Sequence, residues 1–335
     1  MRRALTLLWL AMVLGTGPAW SDESGQARAE AAGAALIGTP APGLKLNTID
    51  GKTVDLAEYY GHKAVYLKFW ATWCVPCLQQ MPHFEHAYEN AGPDLVVIAV
   101  NTNFNETPER VAAYRRQHGL RMPVVMDDGK LAAALNLRVT PQHVLIARDG
   151  RIAYVGHLAD PNLDEALAAV QRPDSRAPKQ QAAMVLRAVP QVVQTLGGET
   201  FTLKDPRHAR STVLLFVSPW CESYLQESRP EYSEQCREAR LETQRLAAAG
   251  GARWIAIASG LWANDEDLRA YQQKNAVGMP LTLDVAGDLF RAYHVNRVPT
   301  AVVIGADGQE RQRRSGDLKD LAPLLASASA PAQGR

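Results

Sequence analysis

The sequence predicts an α/β chain in which one plan of strands and helices is used twice. Three observations carry this. Ala64 to Trp70 is apolar apart from Lys68 and reads as a buried strand, running through Ala71-Thr72-Trp73 into Cys74-Val75-Pro76-Cys77, after which Leu78 to Ala91 reads as a helix. Strand and helix patterns then alternate as far as Gln171. The order returns in the second half, where Val213-Leu214-Leu215-Phe216-Val217-Ser218-Pro219-Trp220-Cys221 echoes the strand that ends in Trp73-Cys74.

The chain of 335 residues is long enough for two domains of ordinary size. A formal net charge of +1 gives no electrostatic case for a nucleic-acid partner. Four cysteines are too few for a disulfide scaffold. Met1-Arg2-Arg3 is basic, Ala4 to Leu14 is apolar, and Ala19-Trp20-Ser21 offers a small-x-small cleavage pattern. Residues 1–21 therefore read as a secretory signal peptide, with an uncleaved membrane anchor as the alternative. Beyond that segment no apolar run is long enough to cross a bilayer. Export places the mature chain in an oxidising compartment, a bacterial periplasm, or outside the cell. A dithiol kept reduced there needs an electron supply.

Cys74 and Cys77 fall where a strand gives way to a helix N-terminus. Unpaired N–H groups and the helix dipole favour negative charge at such a point, so a thiol there loses its proton more readily. Cys74 is expected to be exposed and nucleophilic, and Cys77, one turn further on, to resolve the mixed disulfide that Cys74 forms. The rival readings are half of a zinc site and a plain structural disulfide. No second close cysteine pair exists to complete a zinc site, and His83 and His86 read as surface histidines of an amphipathic helix. No cofactor or metal is expected.

The remaining elements follow in order. Asp22 to Ala35 is polar and alanine-rich and reads as a loose leader. Leu44 to Leu56 alternates around Asp50-Gly51, a hairpin signal. Pro82 should kink the helix after Cys77. Leu95 to Asn101 is a second apolar strand. Thr107-Pro108-Glu109 opens a helix that Gly119 suits as an end. Pro123 to Met126 is a short strand and Lys130 to Leu137 a helix. Pro141 precedes the strand His143 to Ala147, Asp149-Gly150 turns it into Arg151 to His157, and Asn162 to Gln171 closes the domain. The first domain thus covers residues 36–171, the linker 172–184, rich in Pro, Arg, Lys, Gln and Ser, and the second domain 185–329. In that second domain Trp254 to Ser259, Asn264-Asp265-Glu266-Asp267, Val298-Pro299-Thr300, Ala301 to Ile304 and Asp307-Gly308 repeat elements of the first. The stretch from Cys221 to Ile255 is ten residues longer than that from Cys74 to Ile98.

The segment bearing Phe69, Trp70, Ala71, Trp73, Cys74, Pro76, Cys77 and Pro82 resembles the active site of the thioredoxin superfamily and, within it, the exported TlpA/ResA-like branch. Val139-Thr140-Pro141 is similar to that family's cis-proline loop. The resemblance implies two tandem thioredoxin-like domains, the second degenerate. It implies a cis bond before Pro141, a substrate strand held by Thr140 and Pro141, and Trp73 shielding the disulfide. It also implies a reductant of specific protein disulfides, such as those of cytochrome c or copper-site maturation, fed by an upstream membrane electron donor. The alternatives are an oxidant or isomerase, a copper-binding maturation factor using Cys74, Cys77 and a histidine, and a partner-binding scaffold. A peroxidase is discounted, because Leu67 stands where the peroxiredoxin site has proline.

Two positions depart from the family pattern. Lys68 stands where thioredoxins often carry a buried acid, and is expected to snorkel to the domain edge. Gln80 stands where ResA-like proteins often carry glutamate. In the second domain, Cys221-Glu222-Ser223-Tyr224 has tyrosine in the resolving position. Cys236 would be roughly 22 Å from Cys221 on one straight helix, against the about 7 Å that a disulfide allows. A bond between them requires a break, which Pro230 can supply. A structural disulfide Cys221–Cys236, a second redox pair and two unpaired thiols remain open.

Overall fold

The computed structural model describes residues 22–177, 190–205, 210–305 and 307–328. The expected signal peptide, residues 1–21, lies outside them, as does most of the expected linker. The first half contains α1 (Asp22–Gly33), β1 (Lys45–Asn47), β2 (Thr53–Asp55), β3 (Ala64–Trp70), α2 (Val75–Gln79), α3 (Met81–Glu89), β4 (Leu95–Asn101), α4 (Pro108–His118), β5 (Val124–Met126), α5 (Lys130–Ala134), β6 (Gln142–Ile146), β7 (Ile152–Gly156) and α6 (Pro161–Val170). The second contains β8 (Val192–Gln194), β9 (Thr200–Thr202), β10 (Thr212–Val217), α7 (Cys221–Ser228), α8 (Pro230–Ala249), β11 (Arg253–Ser259), α9 (Asp265–Lys274), β12 (Leu281–Asp284), α10 (Asp288–Ala292), β13 (Thr300–Ile304), β14 (Glu310–Ser315) and α11 (Leu321–Ala328).

The two halves share one topology, each a five-stranded mixed sheet flanked by helices, as expected of two thioredoxin-like domains. Domain one has the sheet order β5-β4-β3-β6-β7 and domain two the order β12-β11-β10-β13-β14. In each, three strands run parallel and the last two antiparallel. The central strand β3 is buried at every residue, as expected where helices cover both faces of a sheet. The match extends to a two-stranded hairpin ahead of each sheet, β1–β2 and β8–β9. The second hairpin was not anticipated from the sequence.

Local signals set most boundaries. The Thr107 hydroxyl accepts the Arg110 N–H at the start of α4, and Gly119 ends it at φ 63°. Asn264 and Asp267 form a capping box on α9. The helix expected from Leu78 to Ala91 is instead two, α2 and α3, meeting at Gln80. Pro82 sits in the first turn of α3, where its missing N–H costs nothing, so it begins a helix where a kinked one was expected. In domain two the extra residues lengthen the helical region to α7 and the 20-residue α8, which part at Arg229 immediately before Pro230.

The expected leader is structured. Residues 22–33 form α1, which packs on β7. Small residues permit the close approach: Ala29 and Ala32 are buried, and a Cβ on Gly33 would stand 2.5 Å from the Cβ of Val155. The Gln26 side chain accepts the N–H groups of His157 at 2.8 Å and Leu158 at 3.0 Å. Arg28 pairs with Asp267 of domain two at 2.8 Å. Among the described residues, no helix is long and apolar enough to cross a membrane.

Replacing Gly33 by valine forces overlap with Val155. The thermal unfolding midpoint of the mature chain is expected to fall, by an overpacking cost of about 1–3 kcal/mol. An unchanged midpoint would show that α1 does not rest on β7 in solution.

Candidate active site

Cys74 and Cys77 are joined in a disulfide, with Cα atoms 5.2 Å apart. Cys74 is the N-cap of α2, and its Sγ accepts the Cys77 N–H at 3.2 Å. The same sulfur lies 3.3 Å from the Thr140 carbonyl oxygen. The Thr140–Pro141 bond is cis, and so is Val298–Pro299 at the equivalent place in domain two. The His157 ring donates from Nδ1 to the Pro141 carbonyl at 2.6 Å, tying β7 to this loop. The fold thus gathers Trp73, Cys74, Cys77, Thr140 and Pro141 at the C-terminal end of β3.

The expectation of an exposed Cys74 is incorrect: the residue is 1% exposed, and Trp73 and Cys77 are buried with it. The cover comes from domain two. Trp73 lies against Trp220, with ring centroids 5.0 Å apart, and Tyr224 meets both indoles edge-on. The Val75 N–H, on the first turn of α2, donates to the Tyr224 hydroxyl at 3.0 Å. Arg229 donates to the Thr72 hydroxyl at 3.0 Å, and Thr72 in turn donates from N–H and hydroxyl to the Glu106 carboxylate. Burial pushes that carboxyl above the usual range, while the bonds from Thr72 and Asn101 and the Arg229 charge pull the other way. One apolar cluster runs continuously through both domains here, containing Trp73, Phe104, Trp220 and Trp262.

Beneath the disulfide lies a buried polar network. Lys68 does not snorkel to the edge; it is 0% exposed. Both faces of β3 are covered, so the ammonium finds no route to water. It donates instead to the Gln80 carbonyl at 2.9 Å and, at 3.4 Å, to the Cys77 carbonyl, groups freed where α2 stops. Desolvation lowers its pKa from 10.5 to about 7. The Gln80 side chain continues the network, accepting from His143 Nε2 at 2.8 Å. His143 Nδ1 accepts in turn from the Tyr66 hydroxyl at 2.8 Å. Burial, followed by the nearby Lys68 charge, holds the His143 pKa well below its ordinary value, so the ring is neutral.

In domain two, Cys221 begins α7 and is bonded to Cys236 of α8, with Cα atoms 6.2 Å apart. The break before Pro230 folds α8 back on α7. Glu222 and Arg240 bridge the same two helices at 2.8 and 3.0 Å. His83 pairs with Asp164 and His86 is exposed. Among the described residues, no group of three or more His, Cys, Asp or Glu is arranged to hold a metal ion. The sequence reading missed His157, Glu106, Arg229 and Trp262. Tyr224 carried a signal, standing where domain one has its second cysteine, but nothing in the sequence showed that it faces domain one.

Residues 37–155 match the AhpC/TSA family. The chain is 32% identical over 120 residues to the thiol-disulfide oxidoreductase ResA of Bacillus thuringiensis, covering 35% of this chain and 66% of that relative, just under two thirds of its length. It is 36% identical to ResA of Halalkalibacterium halodurans, covering 36% of this chain and 68% of the relative. It is 32% identical to the thioredoxin-like protein YneN of Bacillus subtilis, covering 39% and 78%. A solved thiol:disulfide interchange protein of Chlorobium tepidum is similar at 29% identity, covering 40% of this chain and 97% of that one, with a TM-score of 0.35. The chain belongs to the thioredoxin-fold family of ResA-like thiol–disulfide oxidoreductases.

The depressed Lys68 pKa has a consequence for stability. Between about pH 7 and pH 10.5 the unfolded chain holds a proton that the folded chain lacks, so this residue makes stability rise with pH across that window. Lys68→Met should therefore stabilise the chain by roughly 2–4 kcal/mol at pH 6, and by progressively less as the pH approaches 10. Denaturant titrations at several pH values would check this. A pH-independent difference would show that Lys68 does not change its charge on folding.

Proposed function

We propose that this chain is an exported thiol–disulfide oxidoreductase that reduces disulfides of protein substrates through Cys74 and Cys77. The placing of Cys74 supports this most directly: its sulfur sits at a helix N-terminus and already accepts the Cys77 N–H. Both the partial charge and that bond favour the thiolate. In the reduced state, the Cys74 thiolate attacks a substrate disulfide, forms a mixed disulfide and expels one substrate thiolate. The Cys77 thiolate then attacks Cys74 Sγ and expels the second. Two electrons pass to the substrate, and Cys74–Cys77 remains as the disulfide, to be reset by an upstream dithiol at the membrane. Thr140 and Pro141 hold the substrate strand, and Trp73 walls the site. The residues 1–21 direct export to the periplasm and are removed. Specific substrates of the cytochrome c or copper-site maturation type fit this reading through the family alone.

The pair Cys221–Cys236 is read as structural. Tyr224 occupies the resolving position beside Cys221, and Cys236 reaches it from a different helix. Closing a loop of this length restricts the unfolded chain, an effect of about 3 kcal/mol.

A redox titration with alkylation and mass spectrometry separates the two pairs. Cys74–Cys77 should equilibrate near or below roughly −270 mV, while Cys221–Cys236 stays oxidised. A value for the first pair near roughly −120 mV would make the protein an oxidant and refute the proposed direction. Cys74→Ser should abolish insulin reduction, and Cys77→Ser should accumulate the mixed disulfide.

A further inference from the structure

Domain two does more than shade the redox site. The loop after β11 reaches directly onto the backbone around the cis proline of domain one. The Trp262 N–H donates to the Arg138 carbonyl at 2.7 Å, and its indole Nε1–H donates to the Thr140 hydroxyl at 3.2 Å. The Trp262 ring also stands edge-on to His157, whose ring holds the Pro141 carbonyl. Trp262 is 6% exposed and has φ 57°, a conformation that bulky residues seldom adopt.

The contact is reciprocal. Asn105, in the loop after β4, donates its N–H to the Asn296 carbonyl at 2.8 Å and accepts the Val298 N–H on its side chain at 2.9 Å. Asn105 and Trp262 are equivalent positions. The preceding residues, Phe104 and Leu261, accept the indole N–H groups of Trp73 and Trp220 at 2.7 and 2.8 Å. Asn296 and Arg138 each stand three residues before a cis proline. Each domain therefore places the loop after its second core strand on the cis-proline loop of the other. Together with the Tyr224 bond to Val75, this leaves Cys74 without a path to a protein disulfide.

We propose that the Leu261–Trp262 segment occupies the substrate groove of domain one as an internal substitute for a substrate strand, and that exchange at Cys74 requires the domains to part along this interface. The segment also describes what displaces it. The partner is a polypeptide segment that presents a backbone N–H to the Arg138 carbonyl and a flat apolar side chain in the place of the Trp262 indole. This inference rests on the reading of Cys74–Cys77 as the exchange site.

The test measures the rate at which the dithiol-reduced mature chain reduces insulin disulfides, with small-angle X-ray scattering on the same samples. Trp262→Ala and, separately, Asn105→Ala weaken opposite halves of the interface. Asn105→Ala removes one side-chain bond and leaves the aromatic cluster intact, so it serves if Trp262→Ala does not fold. Each is expected to raise the rate by about tenfold or more and to enlarge the radius of gyration. Cys74→Ser in either background should abolish the activity. Rates within about twofold of the parent in folded variants would overturn the proposal and leave the exchange reading intact, provided the activity still depends on Cys74. Activity that survives Cys74→Ser would overturn the exchange reading, and the proposal with it.

Discussion

The two cis-proline loops confront the molecule with the same physical problem. Each lies at the C-terminal end of a sheet and presents carbonyl and N–H groups with no ladder partner, in surroundings made apolar by tryptophan and phenylalanine. Polar backbone in such a place must find hydrogen bonds or stay wet. Here each loop is satisfied by the other domain: the Arg138 carbonyl by the Trp262 N–H, and the Asn296 carbonyl by the Asn105 N–H. The burial of Cys74, the contact of Trp73 with Trp220 and the continuous apolar cluster all follow from that mutual pairing.

Beneath this interface, domain one tolerates an uncommon interior. A lysine on a doubly covered strand cannot reach solvent, and no carboxylate is hydrogen-bonded to its ammonium. The carbonyls released where α2 ends are what accept it. The helix break at Gln80 and the buried lysine are thus coupled, since a continuous helix would use those carbonyls internally. The same break turns the Gln80 side chain toward His143, extending the network to Tyr66. These groups lie directly below Cys77, so their charge state bears on the field at the sulfurs.

The second half repeats the architecture of the first without its Cys-x-x-Cys pair. Sheet order, hairpin and cis proline recur, yet the resolving cysteine is replaced by Tyr224. The extra residues build the α7–α8 hairpin, locked by Cys221–Cys236 and by the Glu222–Arg240 pair. Tyr224 then serves domain one, accepting the Val75 N–H with its hydroxyl. The α7 region of the second half thus lies over the cysteine pair of the first.

Much of this was legible in the chain itself. The apolar run into Cys74-Val75-Pro76-Cys77 determined the central strand and the helix start, because strand burial and helix capping are local in sequence. The recurrence of Trp-Cys, proline and Asp-Gly in the same order pointed to a second unit of the same plan, and Pro230 marked where α8 begins. Other features depended on contacts between residues far apart. Residues 22–35 carry no strong helical stripe, and only the surface of β7 makes their small side chains useful. Lys68 looked free to reach an edge, because nothing nearby in sequence reveals that both faces of β3 are covered. The exposure of Cys74 was misjudged for a related reason: a motif specifies the chemistry of a sulfur, whereas access to it depends on what another domain places over it. Trp262 and Asn105 are ordinary loop residues in the sequence, and only the packing of one sheet end against the other gives them a role.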